Sequence, residues 1–344
     1  MPKSSPVAVQ LVIQNGASWL RAVLDSIRAQ TWQDLQVFLL DYDSGDGTAD
    51  IVRREYPEVR LFHARENRGI WQGSERLLEE HDAPFILVLT DVVLDPQFIE
   101  RGIHALQAQP DAGAVQAKIY RGVMANGHME RTNHLDTIGF RIAPSLHITN
   151  LGHGERDEGQ YDHLHEVFGV EGAAPLFRRT ALERCRIQGH LVDPDYQLGG
   201  IGYGDDVDLA WRLQLFGFTT LFVPTMQAWH DRSTTKDGAR NWRDAVRRVG
   251  ARRRIALAKR RLDWANVRFT IIKNARAGNL VRQFPRIVLR ELAVFGYMFL
   301  FEPAVFGAFP RFLRLLPRML ARRHIVQAGA VHPAVTMRTW YQYP

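Results

Sequence analysis

The chain has 344 residues, of which 46% are hydrophobic, and a formal net charge of +7. This length suits one large domain, or a domain with an extension, around a substantial core. The single cysteine, Cys185, excludes a disulfide framework within one chain and fits a reducing cytoplasm. The first residues lack the apolar segment of a signal peptide, so we expect no secretion.

Strand and helix signals alternate along the first third of the chain. The predicted strands are Ala8–Asn15, Leu35–Leu40, Val59–Ala64, Phe85–Thr90 and Ala112–Tyr120. The predicted helices are Ala17–Gln30, one from near Thr48, one within Asn67–His81, and one with Asp95 as N-cap and Pro96 as its first residue. This alternation predicts an α/β fold with a doubly wound, mostly parallel sheet.

The next region is less regular. Residues Arg121–Gly169 are polar, and we expect loops and a small hairpin over one rim of the site. The later predicted elements are a strand over Gly172–Arg179, a helix over Thr180–Arg186, a helix after Gly204 and a strand over Thr219–Asp231.

Polar side chains recur at the carboxyl ends of the predicted strands. They are Gln14, Asn15, Asp41, Asp43, Asn67, Thr90 and Asp91. Ligands bind at this edge of a doubly wound sheet, so the recurrence predicts a binding site there. Asp41 and Asp43 can accept hydrogen bonds from a base or ribose, although the segment also reads as an acidic turn.

Asp91 directly follows an apolar strand. A carboxylate there is costly unless it is paired or binds a cation, so we favour a ligand of Mg²⁺ or Mn²⁺ over a cap of the next turn. Asp95 is explained by its capping role. His230 ends a strand on the same predicted rim, where either an ordinary hydrogen-bonded histidine or a metal or phosphate contact is consistent with the pattern.

Asp205, Asp206 and Asp208 follow a glycine-rich loop at a predicted helix N-terminus. The helix dipole favours acids there, which is a sufficient structural explanation for one of them. Three exceed what capping needs, and like charges raise one another's pKa, which suits a general base. We favour Asp206 as the base over Asp205 and expect Asp208 to be structural.

The chain changes character from Asn241. Half of the 44 basic residues lie from Arg240 onward, with only four acids. The apolar run Leu292–Phe301 is broken by Glu302 and Pro303, so it is too short to span a bilayer and predicts an interfacial amphipathic segment. A membrane surface or a nucleic acid is the expected partner of such a basic tail, and packing on the preceding domain is the alternative.

Seven segments over Val7–Ser233 occur in the order seen in family 2 glycosyltransferases of the GT-A fold, which the chain resembles. Those of greatest weight are LLDYDSGDGTADIV and GYGDDVDLAWRLQLFGF. Bacterial rhamnosyltransferase-like members are closest in pattern. With the change of composition at Asn241, we expect a GT-A domain over residues 1–240 and a basic amphipathic, membrane-associating helical extension over residues 241–344.

The resemblance implies roles for named residues. Asp206 would be the catalytic base, and Asp91 and His230 would hold the divalent metal. The nucleotide would contact Gln14, Asn15, Asp41, Asp43, Asn67, Thr90 and Asp91, and the acceptor would contact Asp205, Gly172 and Trp229. Leu89 replaces the first acid of the family's DxD motif, which departs from the pattern for metal binding.

The expected activity is an inverting transfer of a sugar, rhamnose above all, from a nucleotide donor to a saccharide or lipid-linked saccharide in surface polysaccharide synthesis. The enzyme would lie on the cytoplasmic face of the cell membrane. The first alternative is a catalytically weak nucleotide-sugar-binding or scaffold protein on the same fold. The second is a nucleic-acid-binding protein, which the apolar residues among the arginines disfavour.

Overall fold

The computed structural model describes residues 5–198, 201–231, 250 and 252–342. Gly199 and Gly200 of the predicted glycine-rich loop, and the predicted boundary between residues 240 and 241, lie outside the described residues. The strands of the main sheet are β1 Val7–Ile13, β2 Leu35–Asp41, β3 Arg60–His63, β4 Phe85–Leu89, β5 Val92–Leu94, β6 Ala112–Ala125, β7 His128–Thr137, β10 Leu176–Arg178 and β13 Thr219–His230.

Two small hairpins accompany this sheet. They are formed by β8 Phe140–Ile142 with β9 Ile148–Asn150, and by β11 Gln197–Leu198 with β12 Ile201–Gly202. The helices are α1 Leu20–Arg28, α2 Thr48–Glu55, α3 Ile70–Leu77, α4 Phe98–Ala108, α5 Arg179–Arg184, α6 Asp205–Leu215, α7 Leu257–Asn274, α8 Ala277–Phe301, α9 Phe309–Gly329 and α10 Ala334–Thr339.

The strand order across the sheet is β3-β2-β1-β4-β10-β6-β13-β5, and β7 pairs with β6. Strands β1 to β4 are parallel, as is the β6–β13 pair, whereas β10, β5 and β7 are antiparallel to their neighbours. This arrangement confirms the predicted α/β fold. Apolar residues of α1, α2 and α4 cover one face of the sheet, and those of α3, α5 and α6 cover the other.

Two local predictions differ from the structure. Helix α4 begins at Phe98 instead of Pro96, because the Asp95 carbonyl accepts from the Gln30 side chain at 2.8 Å and the Pro96 carbonyl accepts from Thr31 N at 2.9 Å. These bonds hold the two residues in a turn, where the Asp95 carboxylate accepts from Gln97 N at 3.1 Å. The small hairpin expected within Arg121–Gly169 is β8–β9, whereas the long β6–β7 pair lies where loops were expected.

The C-terminal helices pack on the α/β domain. Ile271 of α7 and Val326 of α9 share a buried cluster with Trp211 of α6. A second cluster joins Tyr196, which precedes β11, to Phe269 of α7. Of the two expectations for the extension, packing on the preceding domain is therefore observed for α7 and for one side of α9.

Candidate active site

The turn after β2 is held to the end of β1. Asn15 N donates to the Ser44 hydroxyl at 2.8 Å, and the Asn15 side-chain oxygen accepts from Gly45 N at 3.0 Å. Asp41 is buried, and its carboxylate accepts from Ser44 N at 3.3 Å while lying 3.5 Å from His63 Nδ1. Asp41 thus stabilises the turn from its buried side, whereas Asn15 is exposed at the surface of the turn.

Polar contacts extend this rim towards α3. Gln14 donates to the Tyr42 carbonyl at 3.2 Å, and Asn67 donates to the Gln14 side chain at 2.8 Å. Asn67 also accepts from Gly69 N at 2.8 Å. Asp43 is exposed at φ 50°, in the left-handed region. The structure therefore brings together all five residues predicted on this side of the nucleotide site.

His230 connects two carboxylates at the other side of the site. Its Nε2 lies 3.3 Å from Asp91 Oδ1, and its Nδ1 lies 2.9 Å from Asp136 Oδ2. Burial opposes charge on the imidazole, but the hydrogen bonds to Asp136 and Asp91 raise the pKa of His230 to about 9. Burial likewise opposes charge on Asp91, yet the hydrogen bond from His230 lowers the pKa of that carboxyl.

Asp136 is the functional candidate that the sequence did not reveal. It is fully buried at the end of β7, and His153 Nδ1 lies 2.6 Å from its carbonyl oxygen. A carboxylate on one nitrogen of a histidine fixes the ring orientation and leaves the other nitrogen for a ligand. Its position in a polar hairpin gave no signal that it would meet His230.

Asp91 and His230 form the part of the site that suits a cation. They contribute one carboxylate and one imidazole, both accepted ligands of Mn²⁺. Among the described residues no group of three or more His, Cys, Asp or Glu side chains could hold a metal ion. The pair therefore fits a cation that takes its remaining oxygen ligands from a bound diphosphate and water.

The three acids of α6 have different surroundings. Asp208 is fully buried, and although burial opposes its charge, Lys273 and Arg212 lower the pKa of its carboxyl. Burial and then the charge of Asp206 raise the pKa of Asp205 well above its usual value. Asp205 Oδ1 is buried without a hydrogen-bond partner among the residues described. The ion pairs of Asp208 thus indicate a structural role, and burial disfavours the ionised form of Asp205.

Asp206 is the partly exposed member of this cluster, and it faces a short connection from Gly172 to Ala173. A methyl group added at Gly172 would lie 3.3 Å from Asp206 Oδ2 and 3.7 Å from the Trp71 ring. Both the amide and the hydroxyl of Thr90 donate to the Ala173 carbonyl at 3.2 Å. This connection therefore joins the Thr90–Asp91 end of β4 to the carboxylate of Asp206.

Trp229 has a different environment from the other predicted residues. Its ring is 8% exposed, stacks on Tyr120 at 5.7 Å and lies under the Arg131 guanidinium at 4.0 Å. Successive strand residues point to opposite faces, so Trp229 and His230 face different ways. The structure does not bring Trp229 to Asp206, and its acceptor role stays a prediction.

Polar groups at the carboxyl ends of parallel strands, the Asp91–His230 pair and the partly exposed Asp206 thus lie at the edge of the sheet where ligands bind in doubly wound folds. The sequence profile of the glycosyltransferase-like family 2 matches residues 6–252. The chain belongs to this family. No functionally curated protein matches its sequence.

Solved structures share the fold of this chain. S. aureus TarS 1-349 in complex with UDP superposes with a TM-score of 0.54 at 12% identity, over 98% of this chain and 90% of that one. GalNAc-T7 with UDP, GalNAc and Mn²⁺ superposes with a TM-score of 0.53 at 12% identity, over 73% of this chain. The match spans about half, 48%, of the GalNAc-T7 chain. At such identities the likeness shows the fold alone.

Proposed function

We propose that the protein is an inverting glycosyltransferase that moves a sugar from a nucleotide donor to a hydroxyl of a saccharide or lipid-linked saccharide. Rhamnose is the sugar and surface polysaccharide the product that the sequence pattern favours. The observation that best supports this proposal is that Asp206 and the Asp91–His230 pair lie on the two sides of the Gly172–Ala173 connection.

In the proposed reaction Asp206 takes the proton of the acceptor hydroxyl. The hydroxyl oxygen forms a bond to the anomeric carbon as the bond from that carbon to the diphosphate oxygen breaks, which inverts the configuration. Asp206 fits this role because it is partly exposed, whereas Asp205 and Asp208 are buried. A positioned base contributes about 10²- to 10⁴-fold to a rate.

Asp91 and His230 would hold the divalent cation together with the donor diphosphate, where the cation offsets the charge of the leaving group. Asp136 would keep the His230 ring in place. The nucleotide would lie along the rim formed by Gln14, Asn15 and Asn67. The GalNAc-T7 structure, which shares this fold, contains UDP and Mn²⁺.

One observation favours a catalytically weak nucleotide-sugar-binding protein as the second candidate. Leu89 occupies the position of the first DxD acid and is fully buried within the hydrophobic core. The chain thus has one fewer carboxylate for a cation than the family pattern. Donor binding without transfer to any acceptor would support this alternative.

The test combines thermal shift and donor turnover with UDP-, GDP- and dTDP-sugars, with and without Mn²⁺. We expect one donor class to stabilise the wild type. Asp206→Asn should keep that stabilisation but lower turnover about 10²- to 10⁴-fold, and Asp91→Asn should lose the Mn²⁺-dependent part of the stabilisation.

Asp95→Asn is the matched control, since Asp95 is an acid four residues from Asp91 that bonds to the Gln97 amide. It should leave donor binding and turnover unchanged. NMR of the product decides inversion from its anomeric configuration. Full turnover in Asp206→Asn, or a product with retained configuration, would contradict the proposed mechanism.

A further inference from the structure

Helix α8 carries a continuous apolar stripe on its outer side. The stripe, called the outer α8 face below, consists of the strongly exposed Val281, Phe284, Leu289, Leu292, Phe299 and Leu300. At 100° per residue these side chains fall within an arc of about 160°, along about 28 Å of the helix. Phe284, Leu292 and Phe299 are 64%, 65% and 75% exposed, so the residues that the structure describes do not cover them.

The opposite side of α8 is fixed to the protein. Leu280 and Ile287 pack against one buried cluster, and Met298 is buried in another with Trp264. Arg290 donates to the Ser145 carbonyl at 2.8 Å. Helix α8 therefore packs on the protein through one side, and the outer α8 face is the exposed side of this packed helix.

The sequence of α8 and α9 is basic. From residue 277 to residue 329 the sequence has eight arginines and only two acids, Glu291 and Glu302. Glu291 pairs with Arg268 and Arg290, and Glu302 is buried in ion pairs with two further arginines, Arg252 and Arg260. The exposed Arg282 and Arg286 of α8 itself lie next to Leu289 and Leu300, at one edge of this face.

We propose that the outer α8 face is a docking surface for an anionic lipid bilayer, with α8 lying in the plane of the interface. Large apolar side chains beside arginines suit the acyl boundary and the anionic headgroups respectively. A second copy of the chain is a poorer occupant, because the face offers no acidic side chain to meet Arg282 and Arg286.

The geometry favours a helix in the interface over one that crosses the membrane. Within the described residues no single helix is long and apolar enough to cross, although α8 and the segment Pro303–Gly329 together reach the required length across a 116° bend. That segment is not free to insert, since Leu315, Met319 and Val326 of α9 are buried in the protein.

The experiment measures flotation of the full chain with vesicles of phosphatidylcholine alone or mixed equally with phosphatidylglycerol, without nucleotide. We expect the wild type to bind the mixed vesicles. Leu292→Glu should lower the partition coefficient by at least about tenfold. Arg282→Gln and Arg286→Gln should each lower it about fivefold, with the loss disappearing at high salt.

Val123→Glu is the matched control, because Val123 is 52% exposed in β6, outside the extension. It should bind vesicles as the wild type does. Equal binding by Leu292→Glu and the wild type, or no binding by the wild type, would overturn the proposal. A wild-type dimer in light scattering that Leu292→Glu dissociates, or salt-sensitive binding to duplex DNA without vesicle binding, would replace it with another partner.

Discussion

Lys273 of α7 connects the extension to helix α6, and its replacement by methionine measures how much this connection stabilises the fold. The ammonium group is fully buried and donates to Asp193 Oδ2 at 2.7 Å and to Asp208 Oδ2 at 3.1 Å. Arg322 and Arg212 pair with the same two carboxylates at 2.6 and 3.0 Å. Lys273→Met keeps the length of the side chain and removes its charge.

The expected cost follows from this network. Removal of one partner from a buried ion pair costs about 3 to 5 kcal/mol, since the remaining charge is left uncompensated. Here Asp193 and Asp208 each keep one arginine, and methionine fills most of the vacated volume. We therefore expect Lys273→Met to lower the free energy of unfolding by about 3 kcal/mol, at the low end of that range.

Urea unfolding followed by tryptophan fluorescence measures this change. Arg314→Met, which removes an exposed cation of α9, is the control and should change the free energy by less than about 0.5 kcal/mol. Adding Asp193→Asn to Lys273→Met should cost less than the sum of the two single changes, because it restores the charge balance. A free energy of unfolding in Lys273→Met within about 1 kcal/mol of the wild type would refute the reasoning.

Two further changes test the site and the core. Asp136→Asn removes the carboxylate from His230 Nδ1, so the Mn²⁺ concentration for half-maximal turnover should rise about 10- to 100-fold at a temperature where the variant is still folded. Burial lowers the pKa of His81 to about 4, and its Nδ1 accepts from Ala83 N at 3.2 Å, which requires a neutral ring. The folded chain then binds fewer protons than the unfolded one, so stability should fall by about 3 kcal/mol as the pH drops from about 6.5 to 4, and His81→Gln should flatten this dependence.

The sheet could be predicted where strand and helix signals were long. Strands β1 to β4 and helices α1 to α3 lie close to their predicted bounds because apolar periodicity identifies each element locally. The strand Val92–Leu94 could not be found in this way. Its three apolar residues show no period, and it becomes a strand only by pairing with Ala228, Trp229 and His230 of β13, far along the chain.

The site was predictable on one side for a topological reason. Carboxyl ends of parallel strands meet at one edge, so Gln14, Asp41 and Asp91 gather there whatever the loop details. The positions of Asp136 and Trp229 depend on the pairing of β6 with β7 and β13, and no local sequence pattern predicts that pairing. Because of that pairing, the buried Asp136 contacts His230, and Trp229 points to the other face of the sheet.

The contacts of α7 bear on how the C-terminal region can be studied. Lys273 and Asn274 hold Asp208, two residues from Asp206, and α8 begins only three residues after Asn274. Helix α6, the proposed location of the base, is therefore tied through α7 to the helix that carries the proposed docking face. Deletion of the extension would leave Asp193 and Asp208 without Lys273 and would expose the surface that α7 covers. A loss of membrane binding or activity after such a deletion would report unfolding, so single substitutions on the outer α8 face are needed to separate docking from catalysis.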